Sequence, residues 1–314
     1  MLRARLSKDK AAAQVLWGAL RSGRGGDWRR LVVGMSDAFT HTELPRLGKR
    51  VLRLGVAGNY GLQTADIHHA AERGVGYWLW TPRFKTVTPA LRELLARDRE
   101  RHVVATLGMA YTGGMVRRGV EKALRVLGTD YLDIYQLGWL GRMSRLTEGI
   151  QEAIRKLKDE GKIKAVGTSI HDRPRAGRLA HESVLDAFML RYNAKHPGAE
   201  QDVFPHLETR KPIVIAYTAT SWRQLLRPIK GLEMPPWPGG AQVGETPPPL
   251  TAGLCYRFCL TGPHVHVALS GPRDRSQLDE NLDALDAGPL SPDEEAWVRE
   301  YGRRVKARKR VPFI

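Results

Sequence analysis

The chain has 314 residues, of which 42% are hydrophobic and 26% charged, a globular balance that excludes disordered and fibrous classes. No apolar run approaches the roughly eighteen residues of a spanning helix, so the sequence predicts no membrane segment. The formal net charge is +17, but residues 1–50 hold 11 Lys and Arg against 4 Asp and Glu and residues 301–314 add six more basic groups, which leaves +4 for the body.

In chain order, residues 1–45 read as a basic, partly helical extension with no place in a core, and 46–314 as one domain. From Val51 onward, short β-branched runs alternate with amphipathic stretches, the pattern of a parallel sheet wrapped by helices. The predicted strands are Val51 to Ala57, Val75 to Trp80, His102 to Leu107, Tyr131 to Leu137, Ile163 to Thr168, Val184 to Leu190, Ile213 to Tyr217 and Val265 to Leu269. Helical periodicity covers Val116 to Leu127 and Leu146 to Glu160, with Gly161 placed as a terminating glycine. Residues 226–250 are rich in Pro and Gly, from Pro235 and Pro236 to the run Pro247 to Pro249. That is too long for an ordinary connection and reads as a lid or binding loop over one face, with a passive insertion as the alternative. Ser291 followed by Glu294 forms a capping box that opens a C-terminal helix. Eight such units close most naturally into a (β/α)8 TIM barrel, here with a basic N-terminal extension and a C-terminal helix.

Five segments in order carry a resemblance to a known family. They are Leu54-Gly55-Val56-Ala57-Gly58-Asn59-Tyr60-Gly61, Gly128-Thr129-Asp130-Tyr131-Leu132-Asp133, Gly161-Lys162-Ile163-Lys164-Ala165-Val166-Gly167-Thr168-Ser169, Tyr192-Asn193 and Gln277-Leu278-Asp279-Glu280-Asn281. Together they resemble the aldo-keto reductases from about Leu47 to Gly302. The resemblance implies NADP(H) as cofactor, hydride transfer to a carbonyl, and a tetrad in which a tyrosine protonates the alkoxide, a lysine paired with an aspartate lowers the tyrosine pKa, and a histidine orients the carbonyl. Matching motifs places the aspartate at Leu79, the tyrosine at Phe84, the lysine at Leu107 and the histidine at Gly138, none of which exchanges a proton. A one-residue slip puts Trp80 and Lys85 at the first pair and restores no phenol. For the cofactor, the resemblance implies Ser169, Asn193 and Tyr217 at the nicotinamide, with Ile170 and Met189 standing where amides are expected. It implies Gly271, Arg273, Gln277, Glu280 and Asn281 at the adenosine and 2′-phosphate, where Arg273 and Arg275 offer guanidinium forks suited to phosphate.

Outside the tetrad, His171 is the candidate replacement acid or base because imidazole titrates near neutrality, against the reading of a surface loop histidine. Arg191, Tyr192 and His196 cluster after the sixth strand; arginine there suits an anionic substrate or a structural ion pair. Trp78, Trp80 and Trp139 read either as an aromatic pocket wall or as core. Cys255 and Cys259, four apart on a helical pattern, read as buried thiols of a reducing cytoplasm, and with His264 and His266 they lack the paired spacing of a zinc framework, so no metal is expected. The stretch Ala11 to Leu20 is interrupted by Gln14 and followed by no cleavage pattern, which argues against export. No phosphate loop, nucleophile elbow or strand-bound glycine fingerprint occurs.

Two functions remain in play. One is an NADP(H)-binding oxidoreductase with non-standard chemistry on a small-molecule substrate; the other is a catalytically inactive barrel that binds a ligand or a partner. Nucleic-acid association through the basic tails is a third reading, disfavoured because no aromatics are interleaved with the charges.

Overall fold

Eight parallel strands close on themselves in the computed structural model, which describes residues 37–238 and 250–308. A short antiparallel hairpin comes first, β1 (His41–Leu44) with β2 (Lys49–Leu52). The barrel strands follow as β3 (Leu54–Ala57), β4 (Tyr77–Trp80), β5 (Val103–Gly108), β6 (Leu132–Leu137), β7 (Ile163–Ile170), β8 (Ala187–Arg191), β9 (Ile213–Tyr217) and β10 (Val267–Ser270). Around them run α1 (Thr64–Glu72), α2 (Thr88–Arg97), α3 (Gly113–Leu127), α4 (Glu148–Asp159), α5 (Arg173–Glu182), the short α6 (Ala199–Asp202), α7 (Ala252–Thr261), α8 (Arg275–Asp283) and the C-terminal α9 (Pro292–Ala307). The ring is completed by β10 pairing with both β3 and β9, so the expected barrel is the fold.

Side chains alternate across each strand, as the pleat requires. Tyr77, Val103, Ala105, Ile134, Ala165, Ala187, Met189, Ile213, Ile215, Val267 and Leu269 fill the interior, a layer distinct from the larger one under the helices. Trp78 and Trp80 belong to that helix-facing layer: the Trp78 indole donates to His102 Nδ1 at 3.2 Å and the Trp80 indole to Thr88 Oγ1 at 3.0 Å. Core packing, not a pocket wall, is therefore their place.

The first predicted strand divides in two. Arg53 interrupts it because its guanidinium turns inward onto the carbonyls of Phe39, Leu260 and Val265 at 2.7–3.1 Å, and burial draws its pKa down to about 10. Residues 49–52 consequently pair backward with β1, and Leu44 enters the interior cluster with no exposed surface. Of the residues expected to lie outside the core, the hairpin segment thus closes the N-terminal end of the barrel; residues 1–36 lie outside the described residues.

The Pro/Gly-rich segment begins and ends at one place, where the Leu250 amide donates to the Leu225 carbonyl at 3.1 Å. Its described part leans on α9: the Trp297 indole donates to Pro235 O at 2.8 Å and Trp237 meets the Trp297 ring edge-on at 5.1 Å between centroids. Residues 239–249 lie outside the described residues. α9 starts as predicted, with Ser291 and Glu294 capping each other's backbone amides.

Candidate active site at the barrel mouth

In a barrel of this kind the loops that follow the strands form the working face. The large apolar side chains exposed among the described residues all lie in such loops: Tyr60 after β3, Met109 and Tyr111 after β5, Trp139 and Met143 after β6, Trp222 after β9. Apolar surface gathered at one end marks a site of contact with something else.

Below this rim, Leu79 on β4 and Leu107 on β5 continue the interior alternation and pack, half-buried, against the interior cluster together with Tyr217 at the end of β9. Gly138 adjoins them directly, since a Cβ there would lie 3.2 Å from Leu107 Cγ and 2.8 Å from Met109 Sδ. Three of the four positions expected to hold the tetrad therefore share the apolar upper end of the interior. Phe84 is different: its ring packs against the helix-facing layer, and its carbonyl accepts from the Thr88 hydroxyl at 2.7 Å and the Thr88 amide at 3.2 Å as α2 begins. The turn at residues 81–84 carries it outward, so the expected pocket floor loses one of its members.

Polar chemistry at the mouth centres on His171, just beyond β7. The Trp139 indole N–H donates to His171 Nε2 at 2.8 Å, and the Tyr217 hydroxyl lies 3.3 Å from Nδ1 and 3.2 Å from Nε2. Accepting at Nε2 places the ring's proton on Nδ1. Burial, with Arg191 and Arg142 nearby, holds the imidazole below its ordinary pKa, so at neutral pH it is an uncharged hydrogen-bonding group. Burial also pushes the Tyr217 phenol up to about 12. The backbone beneath is tense: Trp139 is a non-glycine residue at φ 47°, fixed by its amide donating to Ser169 Oγ at 2.8 Å and by the amides of Arg142 and Met143 donating to its carbonyl. The sequence pointed to Trp139 and His171 separately; the loop geometry that joins them carries no sequence signature.

The other expected residues divide into two groups. At the positions expected for the nicotinamide the polar atoms are largely engaged within the protein. Ser169 Oγ accepts from Trp139, and the Asn193 side chain donates to Thr218 O at 2.7 Å and accepts from the His196 amide at 2.9 Å. Met189 is interior and Ile170 faces the helices. At the far end, Gly271 follows β10 directly, and a Cβ there would strike the Tyr60 ring at 2.4 Å. The Asn281 amide donates to Ser270 Oγ at 3.1 Å and Gln277 Oε1 accepts from the Arg273 amide at 3.1 Å. Glu280 is exposed on α8, and Arg273 is 70% exposed with a single 3.4 Å contact to Asp274, whereas Arg275 is paired with Asp66 at 3.1 Å. Phosphate therefore fits the Arg273 end, while the residues expected at the nicotinamide offer a ring at Tyr217 and, in Asn193, an amide already engaged.

Tyr192 and His196 point elsewhere. The Tyr192 hydroxyl donates to Glu200 at 2.6 Å, in a network with Arg299, and burial pulls the His196 pKa down to about 4. Cys255 and Cys259 are buried free thiols on α7; His264 packs on Phe204, and His266 Nδ1 accepts from the Val214 amide at 3.1 Å.

Comparison with known proteins decides the family, because the model of the aldo/keto reductase family matches residues 58–227, more than half of the chain. The chain belongs to the aldo/keto reductases. Among curated relatives, it is 30% identical over 98 residues to the aldo-keto reductase YhdN of Bacillus subtilis, covering 31% of this chain and 29% of that protein. It is 25% identical over 217 residues to the NADH-specific methylglyoxal reductase of Escherichia coli, covering 61% of this chain and 65% of the other. The matches thus span less than two thirds of those relatives. Aldo-keto reductase AKR11C1 from Bacillus halodurans, in its holo form, superposes with a TM-score of 0.67 at 20% identity, covering 85% of this chain and 96% of that one. The glycerol dehydrogenase AKR11B4 of Gluconobacter oxydans gives the same TM-score at 18% identity, covering 88% and 99%. These likenesses establish the shared fold. No helix among the described residues of this aldo/keto reductase is long and apolar enough to cross a membrane.

Proposed function

We propose that the protein is an oxidoreductase of the aldo/keto reductase family that binds NADP(H) and reduces a small, already activated acceptor without the family's tyrosine proton donor. The carrying observation is the apolar group of Leu79, Leu107 and Gly138 at the top of the interior, beside the hydrogen-bonded set Trp139–His171–Tyr217. When bound, a reduced nicotinamide supplies hydride. In this reading Tyr217, Asn193 and Ser169 adjoin the nicotinamide, and Gly271, Arg273, Gln277, Glu280 and Asn281 hold the adenosine and its 2′-phosphate. Leu79 and Leu107 keep water from the reacting carbon. His171 is the one ionisable group of the set suited to hydrogen-bond a developing oxyanion, and a phenol held near pKa 12 at Tyr217 is a poor substitute. Such a site favours an acceptor whose reduced form is a weak base, such as a quinone, over an aldehyde.

Titration of NADPH and NADH while following cofactor fluorescence tests the reading. Saturable binding of NADPH supports it; the NADH preference named for the E. coli relative makes the second titration the control. No change with either nucleotide removes the oxidoreductase assignment. A second reading, a catalytically inactive barrel that binds a ligand, draws on the internal hydrogen bonds that already occupy Ser169 and Asn193. It predicts ligand binding at the mouth without nucleotide consumption against any aldehyde, quinone or imine.

A further inference from the structure

The arginines of this molecule divide sharply by partner. Arg99, Arg117, Arg173, Arg257, Arg275 and Arg299 each meet a carboxylate. Arg191 does not: among the described residues its guanidinium has neither an ion pair nor a hydrogen bond, although it is half-buried. Strand alternation settles its direction. Ala187 and Met189 face the interior, so Arg191, next in the same series at the end of β8, faces the mouth, in register with Tyr217. A half-buried cation with no counter-charge has lost part of its hydration without recompense, a condition that a bound anion relieves.

Its surroundings define that anion further. Tyr217 and His171 lie within the electrostatic reach of Arg191, and His171 feels Arg142 as well. The side chains of Arg142 and Arg175 likewise have no acidic partner among the described residues, and Arg175 reaches the Gly141 turn, where a Cβ would lie 2.9 Å from its Nη1. Asp172, the acid beside His171 in the chain, caps α5 by accepting from the Arg175 amide at 3.0 Å. Beside the cation the rings gather on His171: Trp139 and Tyr217 lie 5.9 and 6.0 Å from the His171 ring, tilted and edge-on, and the Trp139 indole keeps an exposed face.

We propose that the mouth binds a planar aromatic carboxylate, its charge paired with Arg191 and its ring laid against the exposed indole of Trp139. The guanidinium fork matches two carboxylate oxygens, and an aromatic face favours a flat body over a hydrated small ion. The site concerns ligand class and does not depend on hydride transfer, so it is tested without nucleotide.

Isothermal titration calorimetry on the full chain with 2-naphthoate and with 2-naphthamide separates charge from shape. The expected result is that the carboxylate binds at least about tenfold tighter than the amide, that Arg191→Ala removes this preference, and that Arg191→Lys restores part of it. Melting curves of the variants matching the parent show that the fold is intact. Equal affinity for the two probes, or a preference that persists in Arg191→Ala, overturns the proposal. Inorganic phosphate displacing 2-naphthoate at equal concentration overturns its aromatic part.

Discussion

At the scale of single residues, the decisive contrast is between ionisable groups that the family uses and the side chains present here. An aldehyde accepting hydride becomes a strongly basic alkoxide, and a positioned acid typically contributes about 10²–10⁴-fold to such a step. Leu79, Leu107 and Gly138 supply no such acid, and His171, uncharged at neutral pH, supplies only a hydrogen bond. For a quinone acceptor, His171→Phe is expected to lower kcat by about 10²-fold with KM changing far less, as single-turnover kinetics will read. Because the His171 pKa lies below its ordinary value, the neutral ring that does this work persists as pH rises. Turnover should be flat from pH 7 to 9 and rise only below the ordinary imidazole range, where the protonated ring adds a proton donor. A rate that falls on the alkaline side instead assigns the proton to another group.

At the scale of elements, the motif Gly128-Thr129-Asp130-Tyr131-Leu132-Asp133 is explained by support of the barrel and not by chemistry. Asp133, fully buried at the start of β6, accepts from Lys49 Nζ at 2.9 Å, Arg99 Nη2 at 2.8 Å and the Val104 amide at 2.9 Å, tying β2, the α2–β5 turn, β5 and β6 together. Removing one member of a buried ion network leaves the others uncompensated. Asp133→Asn should cost about 3–5 kcal/mol in a denaturant titration, with an unchanged m-value. A loss within about 0.5 kcal/mol would mean that the network is solvated. Ser291→Ala, which deletes one half of the α9 capping box, should cost about 1 kcal/mol in the same assay.

The strands and helices were legible because their two periods differ, and the α9 start because a capping box is local. What escaped the sequence depends on turns. Arg53 ended the first strand early because its side chain found three carbonyls distant in sequence. Phe84 left the interior because the turn after β4 rotated it outward. Trp139 and His171 come from two loops and Tyr217 from a strand end, 32 and 46 residues apart, so no spacing rule joins them.

For the whole molecule, acid sensitivity follows from histidines held uncharged in the folded state. His102, which accepts the Trp78 indole, and His266, which accepts the Val214 amide, both have pKa values drawn down to about 4 by burial, as does His196. Between pH 6.5 and about 4 the unfolded chain binds protons that the folded one refuses, so stability is full above 6.5 and declines as pH falls through that window. His102 alone sets an upper bound of about 3 kcal/mol, which corresponds to a fall in Tm of several degrees between pH 7 and 4.5 by calorimetry. His102→Gln should flatten that slope.

The central claim concerns which acceptor the mouth can reduce. Single-turnover consumption of NADPH by the protein should be followed with 9,10-phenanthrenequinone, whose reduced anion is a weak base, and with 4-nitrobenzaldehyde, whose alkoxide is a strong one. Reduction of the quinone at least about 10²-fold faster than the aldehyde is the predicted result. Equal rates, or no consumption with either acceptor, would contradict it.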